Sequence, residues 1–171
     1  MTSCRFVFRK LIAGILGFLM PAAVALSAEL TEFIWSGGVT TNAASVCAGL
    51  KEDGNAVRLV VSQSSSFSNP LYSAEIPVFG TTNNRVAKLQ IDGLTPDTVY
   101  YYRIQANGTN DDSVGQFRTF PEAPASFRFT FGSCSNTGSK HPVFDTIRAQ
   151  HPLFHLITGD FFYEDIKVND P

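Results

Sequence analysis

Three side chains that bind metal ions well follow two apolar segments of this sequence. Asp160 and Tyr163 come shortly after residues 153–158, and Cys134 comes shortly after residues 127–132. A carboxylate is anionic, and a bound cation deprotonates a thiol and a phenol as well. Two such added anionic ligands favour a trivalent over a divalent ion. The sequence therefore predicts a metal site that contains Cys134, Asp160 and Tyr163.

Each of these residues also has a simpler structural explanation. A glycine-aspartate pair at a strand end is often only a turn, and a single cysteine is usually a small buried side chain. Tyr163 follows two phenylalanines and could pack with them. His155 lies five residues before Asp160. That is roughly 16 Å along a strand at about 3.3 Å per residue, so His155 is not expected to share the ion. His141, beside the polar loop, is the one histidine placed near the site.

The elements that carry these residues are predicted to form a β-α-β unit. Two β-rich apolar segments, residues 127–132 and 153–158, flank a polar loop and a segment with apolar residues at helical spacing. Such a unit pairs its strands in parallel through a right-handed crossover, and sites in α/β sheets form outside the carboxyl ends of the strands. Because parallel strands need cover on both faces, residues from about 125 onward are expected to open a larger α/β domain.

Residues 29–120 predict a β-sandwich of the fibronectin type III kind. Leu94, Pro96 and Tyr100 have the order of a tyrosine corner, in which the phenol binds upstream backbone and is structural. Trp35 is expected in the core. Residues 121–126 contain two prolines and predict a stiff linker. Seven short candidate strands are separated by turn residues without a helical period; they are residues 33–39, 44–50, 56–62, 71–78, 86–91, 99–106 and 115–120.

Residues 1–28 are predicted to be a secretory signal peptide. Basic residues precede an apolar run, residues 11–20, and small side chains follow it. Ala23-Val24-Ala25 fits a small-x-small cleavage pattern, and cleavage near Ser27 or Ala28 remains open. The apolar run is shorter than the roughly 20 residues of a membrane span, so no stable membrane anchor is expected after cleavage. The predicted location is secreted, periplasmic or at the cell surface.

Charge and cysteine content exclude two further classes of protein. Removal of residues 1–28 takes away three of thirteen basic residues and none of fifteen acidic ones, which changes the formal charge from −2 to −5. A mildly acidic chain without basic clusters argues against a nucleic-acid partner. Export would permit a disulfide between Cys47 and Cys134. Two cysteines on separate modules form no disulfide framework, and no disulfide-dependent fold is predicted.

The two strand ends resemble the start of the catalytic domain of PhoD-type alkaline phosphatases. The resemblance is carried by residues 129–136, FTFGSCSN, and residues 155–164, HLITGDFFYE. The preceding sandwich is similar to the N-terminal domain of that family. Gly159-Asp160-x-x-Tyr163 is also similar to a metal-binding motif of purple acid phosphatases. The resemblance implies that Cys134 and Tyr163 bind ferric iron (Fe³⁺) and that Asp160 bridges this iron to calcium (Ca²⁺).

The resemblance implies an exported metallophosphatase that hydrolyses phosphate mono- or diesters. Residues 127–171 would then be an incomplete α/β metallophosphatase domain, because the family's further ligands, from later strands, have no counterpart in this sequence. The chain is accordingly expected to be an N-terminal fragment that is inactive alone. The alternative is a secreted β-sandwich binding or adhesion module with a non-catalytic tail. In that case Cys134, Asp160 and Tyr163 could be replaced without consequence.

Overall fold

The computed structural model describes residues 27–134 and 140–160, which form a β-sandwich followed by a β-α-β unit. The elements of the sandwich are β1 (Ser27–Ala28), β2 (Thr31–Gly37), β3 (Ala44–Leu50), β4 (Gly54–Ser62), β5 (Leu71–Tyr72), β6 (Ile76–Val78), α1 (Gly80–Asn83), β7 (Val86–Ile91), β8 (Val99–Ala106), β9 (Thr109–Asp111) and β10 (Gly115–Arg118). The elements of the β-α-β unit are β11 (Thr130–Gly132), α2 (Val143–Ala149) and β12 (His155–Ile157).

Two sheets build the sandwich. One has three antiparallel strands in the order β2-β3-β7. The other has seven strands, with β1-β9-β8-β4-β5 in order, β10 beside β8 and β6 beside β4. Within the described part of the sandwich, β1 and β9 are the strands that pair in parallel. The prediction of a fibronectin III-like β-sandwich followed by a β-α-β unit is confirmed.

The core between the sheets follows from the alternation of side chains along each strand. In β8, Tyr100, Tyr102, Ile104 and Ala106 are buried, whereas the residues between them are not. Every second side chain of a strand points to the same face, so one face of β8 is apolar and covered. The side chains that meet it from the three-stranded sheet are Ala44, Val46, Ala48, Leu50, Ala87, Leu89 and Ile91.

Tyr100 forms the predicted tyrosine corner. Its phenol oxygen accepts a hydrogen bond from the backbone N–H of Thr95 at 2.9 Å and another from the side-chain amide of Gln63 at 3.3 Å. Burial by itself raises the pKa of Tyr100, but the hydrogen bonds from Thr95 and Gln63 outweigh it, and the pKa lies below its ordinary value. The prediction that Tyr100 is structural is confirmed.

A buried carboxylate ties residues 27–31 to the seven-stranded sheet. Asp111 is fully buried and accepts hydrogen bonds from the N–H of Leu30, at 2.9 Å, and from the hydroxyl of Thr31. Beside it, the N–H of Asp112 donates to the carbonyl of Ala28 at 3.0 Å. The last two residues of the predicted signal segment are thus part of a strand. Residues 1–26 lie outside the described residues.

The prediction that Trp35 belongs to the core is wrong. Trp35 is 50% exposed and lies beside Phe33, with ring centroids 5.7 Å apart, on the outer face of the three-stranded sheet. The alternation along β2 turns Ile34 toward the core instead. The sequence defined two faces of this strand but did not show which of them the second sheet would cover.

Two boundaries in the sandwich differ from the predicted ones. Residues 71–78 form two short strands, because the hydroxyl of Ser73 accepts the hydrogen bond of the Leu59 N–H at 2.9 Å. A side chain therefore takes the place of a ladder bond where β5 ends. Residues 109–111, which lie between the predicted strands 99–106 and 115–120, form the additional strand β9. The turn before β9 is formed by Asn107 and Gly108, with φ of 49° and 82°, which suits a two-residue hairpin loop.

The β-α-β unit has the predicted parallel pairing of β11 with β12. Its strands are shorter than predicted, and none of its described residues is buried; Phe131 is 70% and Leu156 50% exposed. Cys47 and Cys134 are both free thiols. In the described part of the chain, no helix has the length and apolar character needed to cross a membrane.

Candidate metal centre

The parallel pairing of β11 and β12 brings their carboxyl ends to one edge. Beyond the strands, the N–H of Thr158 donates to the carbonyl of Gly132 at 2.9 Å, and the N–H of Cys134 donates to the carbonyl of Gly159 at 3.3 Å. The hydrogen bonds between the two segments therefore continue past the strands. They place Cys134 next to Asp160, as the β-α-β prediction required.

Cys134 and Asp160 are in direct side-chain contact. The thiol of Cys134 donates to Oδ2 of Asp160, with a sulfur–oxygen distance of 3.6 Å. The hydroxyl of Ser133 donates to the same sulfur at 3.4 Å. Both Cys134 and Asp160 are exposed, so an ion can reach them from solvent. A cation at this point would displace the thiol proton and bind the thiolate and the carboxylate together.

The backbone at this edge adopts left-handed conformations. The angle φ is 60° at Cys134 and 45° at Asp160. It is 152° at Gly159, whose carbonyl accepts the hydrogen bond of the Cys134 N–H. Positive φ is uncommon for residues other than glycine and is enriched in Asn and Asp, so Cys134 is the unusual member. Such conformations cluster at functional sites, where surrounding structure maintains them. Here they turn both side chains out of the strand direction and toward each other.

The sandwich that precedes this edge identifies the family. Residues 22–121 match the family model for the N-terminal domain of PhoD-like phosphatases, which is more than half of the 171 residues. The chain belongs to the PhoD-like phosphatase family. The matched residues end where the proline-containing linker begins, so the match is to the sandwich, and Cys134 and Asp160 lie beyond it.

Solved structures share the fold of this chain. A structure of PhoD matches with a TM-score of 0.64 and 20% identity, over 77% of this chain and 27% of the PhoD chain. The chain thus spans about a quarter of that protein. The sensor domain of the anti-sigma factor RsgI4 from Pseudobacteroides cellulosolvens has a TM-score of 0.46 and 16% identity, over 56% of this chain and 80% of that domain. A fibronectin III domain of human collagen XX has a TM-score of 0.41 and 18% identity, over 57% of this chain and 99% of that domain. No curated protein matches the chain.

The described part of the donor set fits a metal ion. In zinc sites, for comparison, metal–sulfur bonds are about 2.3 Å and metal–carboxylate bonds about 2.0–2.2 Å long. A sulfur and an oxygen 3.6 Å apart can therefore bind one ion together. Within residues 27–134 and 140–160, no cluster of three or more His, Cys, Asp or Glu side chains is found. Tyr163, the third predicted ligand, lies outside the described residues.

Two histidines of the β-α-β unit form hydrogen bonds with residues other than Cys134 and Asp160. The imidazole Nδ1 of His155 is hydrogen-bonded to the hydroxyl of Thr130 at 2.8 Å, at the amino ends of the strands. His141 accepts a hydrogen bond through Nδ1 from the N–H of Val143 at 3.2 Å, at the start of α2. His155 therefore pairs across the strands at the end away from Asp160.

Sequence reasoning missed the role of Ser133. Its hydroxyl donates a hydrogen bond to the Cys134 sulfur at 3.4 Å, and this contact restrains the orientation of the Cys134 side chain. The position of Ser133 directly before Cys134 in the sequence was the signal that could have identified this contact. The left-handed backbone of Cys134 gives no sequence signal, because cysteine has no preference for that conformation.

Proposed function

We propose that this chain supplies the N-terminal sandwich and the first metal-binding strands of an exported, metal-dependent phosphoesterase that hydrolyses phosphate mono- or diesters. The observation that carries the proposal is the contact of 3.6 Å between the Cys134 sulfur and the Asp160 carboxylate. It occurs at the carboxyl edge of a parallel strand pair, where α/β enzymes bind their ligands, in a chain of a phosphatase family.

The proposed ligands divide between two ions. Cys134 and Tyr163 would hold ferric iron, and Asp160 would bridge this iron to calcium. Oδ2 of Asp160 contacts the Cys134 sulfur, and a carboxylate has two oxygens that can act as ligands. Calcium takes oxygen ligands in a loose shell. When bound, the metals would polarise the phosphoryl group and promote attack by water.

The chain's own residues prepare this site in two ways. The Ser133 hydroxyl, 3.4 Å from the sulfur, would donate to the Cys134 thiolate and hold its orientation. The carboxylate of Asp160 would orient the phosphate ester only through the ions, because a carboxylate repels a phosphate anion directly.

The remaining ligands are proposed to come from further strands of the α/β domain. The β-α-β unit exposes large apolar side chains on its strands, among them Phe131 and Leu156. Parallel strands bury both faces in folded α/β domains. The match covers only 27% of the PhoD structure that this chain resembles, which is compatible with such a domain.

Metal analysis of the whole gene product tests the proposal. The wild-type protein is expected to contain iron and to hydrolyse chromogenic phosphate esters, and Asp160→Asn is expected to lose most of both. Asp145→Asn is the matched control, because Asp145 is an exposed aspartate on α2 that pairs with Arg148 at 2.7 Å. A wild-type protein without iron, or an Asp160→Asn enzyme of full activity, would contradict the proposal and favour the binding or adhesion module.

A further inference from the structure

Four phenylalanine rings join the sandwich to the β-α-β unit. Phe154 is at the centre: its ring centroid is 6.1 Å from that of Phe120, 6.1 Å from that of Phe127 and 5.4 Å from that of Phe129. Phe120 and Phe127 also meet edge to face, at 6.1 Å. These distances are typical of stabilising aromatic pairs. We call Phe120, Phe127, Phe129 and Phe154 the phenylalanine cluster.

Phe120 belongs to the sandwich. Its N–H donates to the carbonyl of Thr40 at 3.0 Å, and its carbonyl accepts from the N–H of Asp97 at 3.2 Å. The neighbouring Thr119 is fully buried and bonds through its hydroxyl to the Thr95 carbonyl at 2.7 Å. The backbone of Phe120 is therefore held by two loops of a folded domain.

The other three rings belong to the segments that lead into β11 and β12. The carbonyl of Phe154 accepts from the N–H of Thr130 at 3.2 Å, and the N–H of Leu153 donates to the carbonyl of Arg128 at 2.7 Å. Phe154 is thus bonded to β11 through its backbone and to the sandwich residue Phe120 through its ring. Phe154 therefore links the sandwich to both strands, through its ring and its backbone.

This arrangement matters because the strand pair is short and exposed. Each strand has three residues, and no described residue of the β-α-β unit is buried. A slip of one residue would move one strand by about 3.3 Å and reverse the faces of its side chains. Cys134 and Asp160 would then no longer be in contact.

We propose that the phenylalanine cluster is an internal docking joint, through which the folded sandwich sets the register of β11 and β12, with Phe154 as the positioning residue for the Cys134–Asp160 pair. Phe154 lies six residues before Asp160 in the sequence, roughly 20 Å along an extended chain, so it acts through the strands and not on the ions. The link to the metal centre depends on the proposed function, whereas the joint itself does not.

Hydrogen exchange tests the joint in the chain without metal. Exchange is followed at the backbone amides of Thr158 and Cys134. Their hydrogen bonds, to the carbonyls of Gly132 and Gly159, connect the segments that follow β11 and β12. Phe154→Ala removes three ring contacts, and we expect exchange at both amides to become about tenfold faster or more. Phe144→Ala is the control, because Phe144 is 38% exposed on α2 against 37% for Phe154 and lies outside the cluster. The Thr95 amide of the tyrosine corner should keep its protection in both variants.

Three results would overturn the joint. They are unprotected Thr158 and Cys134 amides in the wild type, unchanged exchange in Phe154→Ala, and equal acceleration in Phe144→Ala. Global unfolding would show as loss of protection at Thr95, and in that case Phe154→Leu, which keeps apolar volume without the ring, replaces Phe154→Ala in the comparison. It is expected to accelerate exchange at Thr158 with Thr95 still protected, and unchanged exchange at Thr158 would again reject the joint.

Disulfide formation reports the spacing at the centre directly. Asp160→Cys, in a chain whose Cys4 and Cys47 are replaced by serine, places a second thiol opposite Cys134. We expect oxidation to link the two thiols at least about tenfold faster in this background than after the further change Phe154→Ala, and Phe144→Ala should leave the rate unchanged. Equal rates in all three chains would reject Phe154 as a positioning residue. If these expectations are met but the wild-type whole gene product binds no iron, the proposed function is refuted and the joint is retained.

Discussion

The sulfur of Cys134 lies 3.6 Å from Oδ2 of Asp160, although 26 positions separate the two residues in the sequence. The parallel pairing of β11 with β12 produces this contact, and the left-handed backbone at both residues directs the side chains toward each other. A cation that binds this thiol and carboxylate together would replace the thiol proton, which would be released to water. The contact is therefore both the basis of the proposed metal centre and the quantity that the phenylalanine cluster is proposed to control.

Cys134→Ser is expected to weaken iron binding by the whole enzyme. A serine hydroxyl is a far poorer anionic ligand than a thiolate. Loss of a group that only orients a metal ligand costs about 10–100-fold in affinity, so the loss of a ligand should cost at least the lower figure. Competition with a chelator measures the change. Cys47→Ser, which removes the free thiol of the sandwich, should leave the affinity unchanged, and equal affinities for Cys134→Ser and the wild type would exclude Cys134 as a ligand.

Tyr100→Phe is expected to destabilise the sandwich by about 0.5–1.5 kcal/mol, because the hydrogen bond between the Thr95 N–H and the phenol oxygen is lost. Tyr100 is 2% exposed, and its oxygen is 2.9 Å from that N–H. Urea unfolding followed by circular dichroism measures the loss. Tyr72→Phe is the control, since Tyr72 is 49% exposed and should change stability little. Equal stability of Tyr100→Phe and the wild type would show that the corner hydrogen bond contributes nothing.

Asp53 is expected to make the stability of the sandwich depend on acidic pH. The hydrogen bond from the Gly80 N–H and then that from the Arg85 side chain lower the pKa of Asp53 below its ordinary value of 3.8. A lowered pKa means that the ionised carboxylate stabilises the fold above 3.8 and that this contribution is lost as the pH falls through the folded-state pKa.

The measurement is the thermal midpoint of the wild type and of Asp53→Asn from neutral pH to below 3.8. The wild type should unfold at the higher temperature at neutral pH, and the difference should shrink in acid. Asp92→Asn, at an exposed aspartate that accepts a hydrogen bond from the Gln90 side chain, is the matched control substitution. A difference between wild type and Asp53→Asn that stays constant with pH would contradict the assignment.

Signal cleavage is expected after Ala25 and not after Ala28. Ser27 and Ala28 form β1, and the Ala28 carbonyl accepts the Asp112 N–H at 3.0 Å. Cleavage after Ala28 would remove this strand from the sheet, whereas cleavage after Ala25 retains it. The intact mass of the exported protein distinguishes the two sites, and Ala25→Arg should block processing. A mature chain that begins at Glu29 would show that β1 is dispensable.

The sequence determined the strands whose alternation is long and regular. Residues 44–50, 86–91 and 99–106 have the predicted bounds, because a two-residue period over six or more residues fits no other regular structure. The sequence also located Cys134 and Asp160 at one edge, because the predicted β-α-β unit pairs its strands in parallel and so brings their carboxyl ends together. The tyrosine corner followed from three residues close together in the chain.

Only the tertiary structure decided which face of a strand is covered and which distant residues meet. Trp35 lies on the outer face because the second sheet packs on the other side of β2. β1 forms because it pairs with β9, more than 80 residues away. Phe154 contacts Phe120 across the linker. The physical reason is common to all three: periodicity describes a segment by itself, whereas burial and long-range contacts depend on the partner that packs against it.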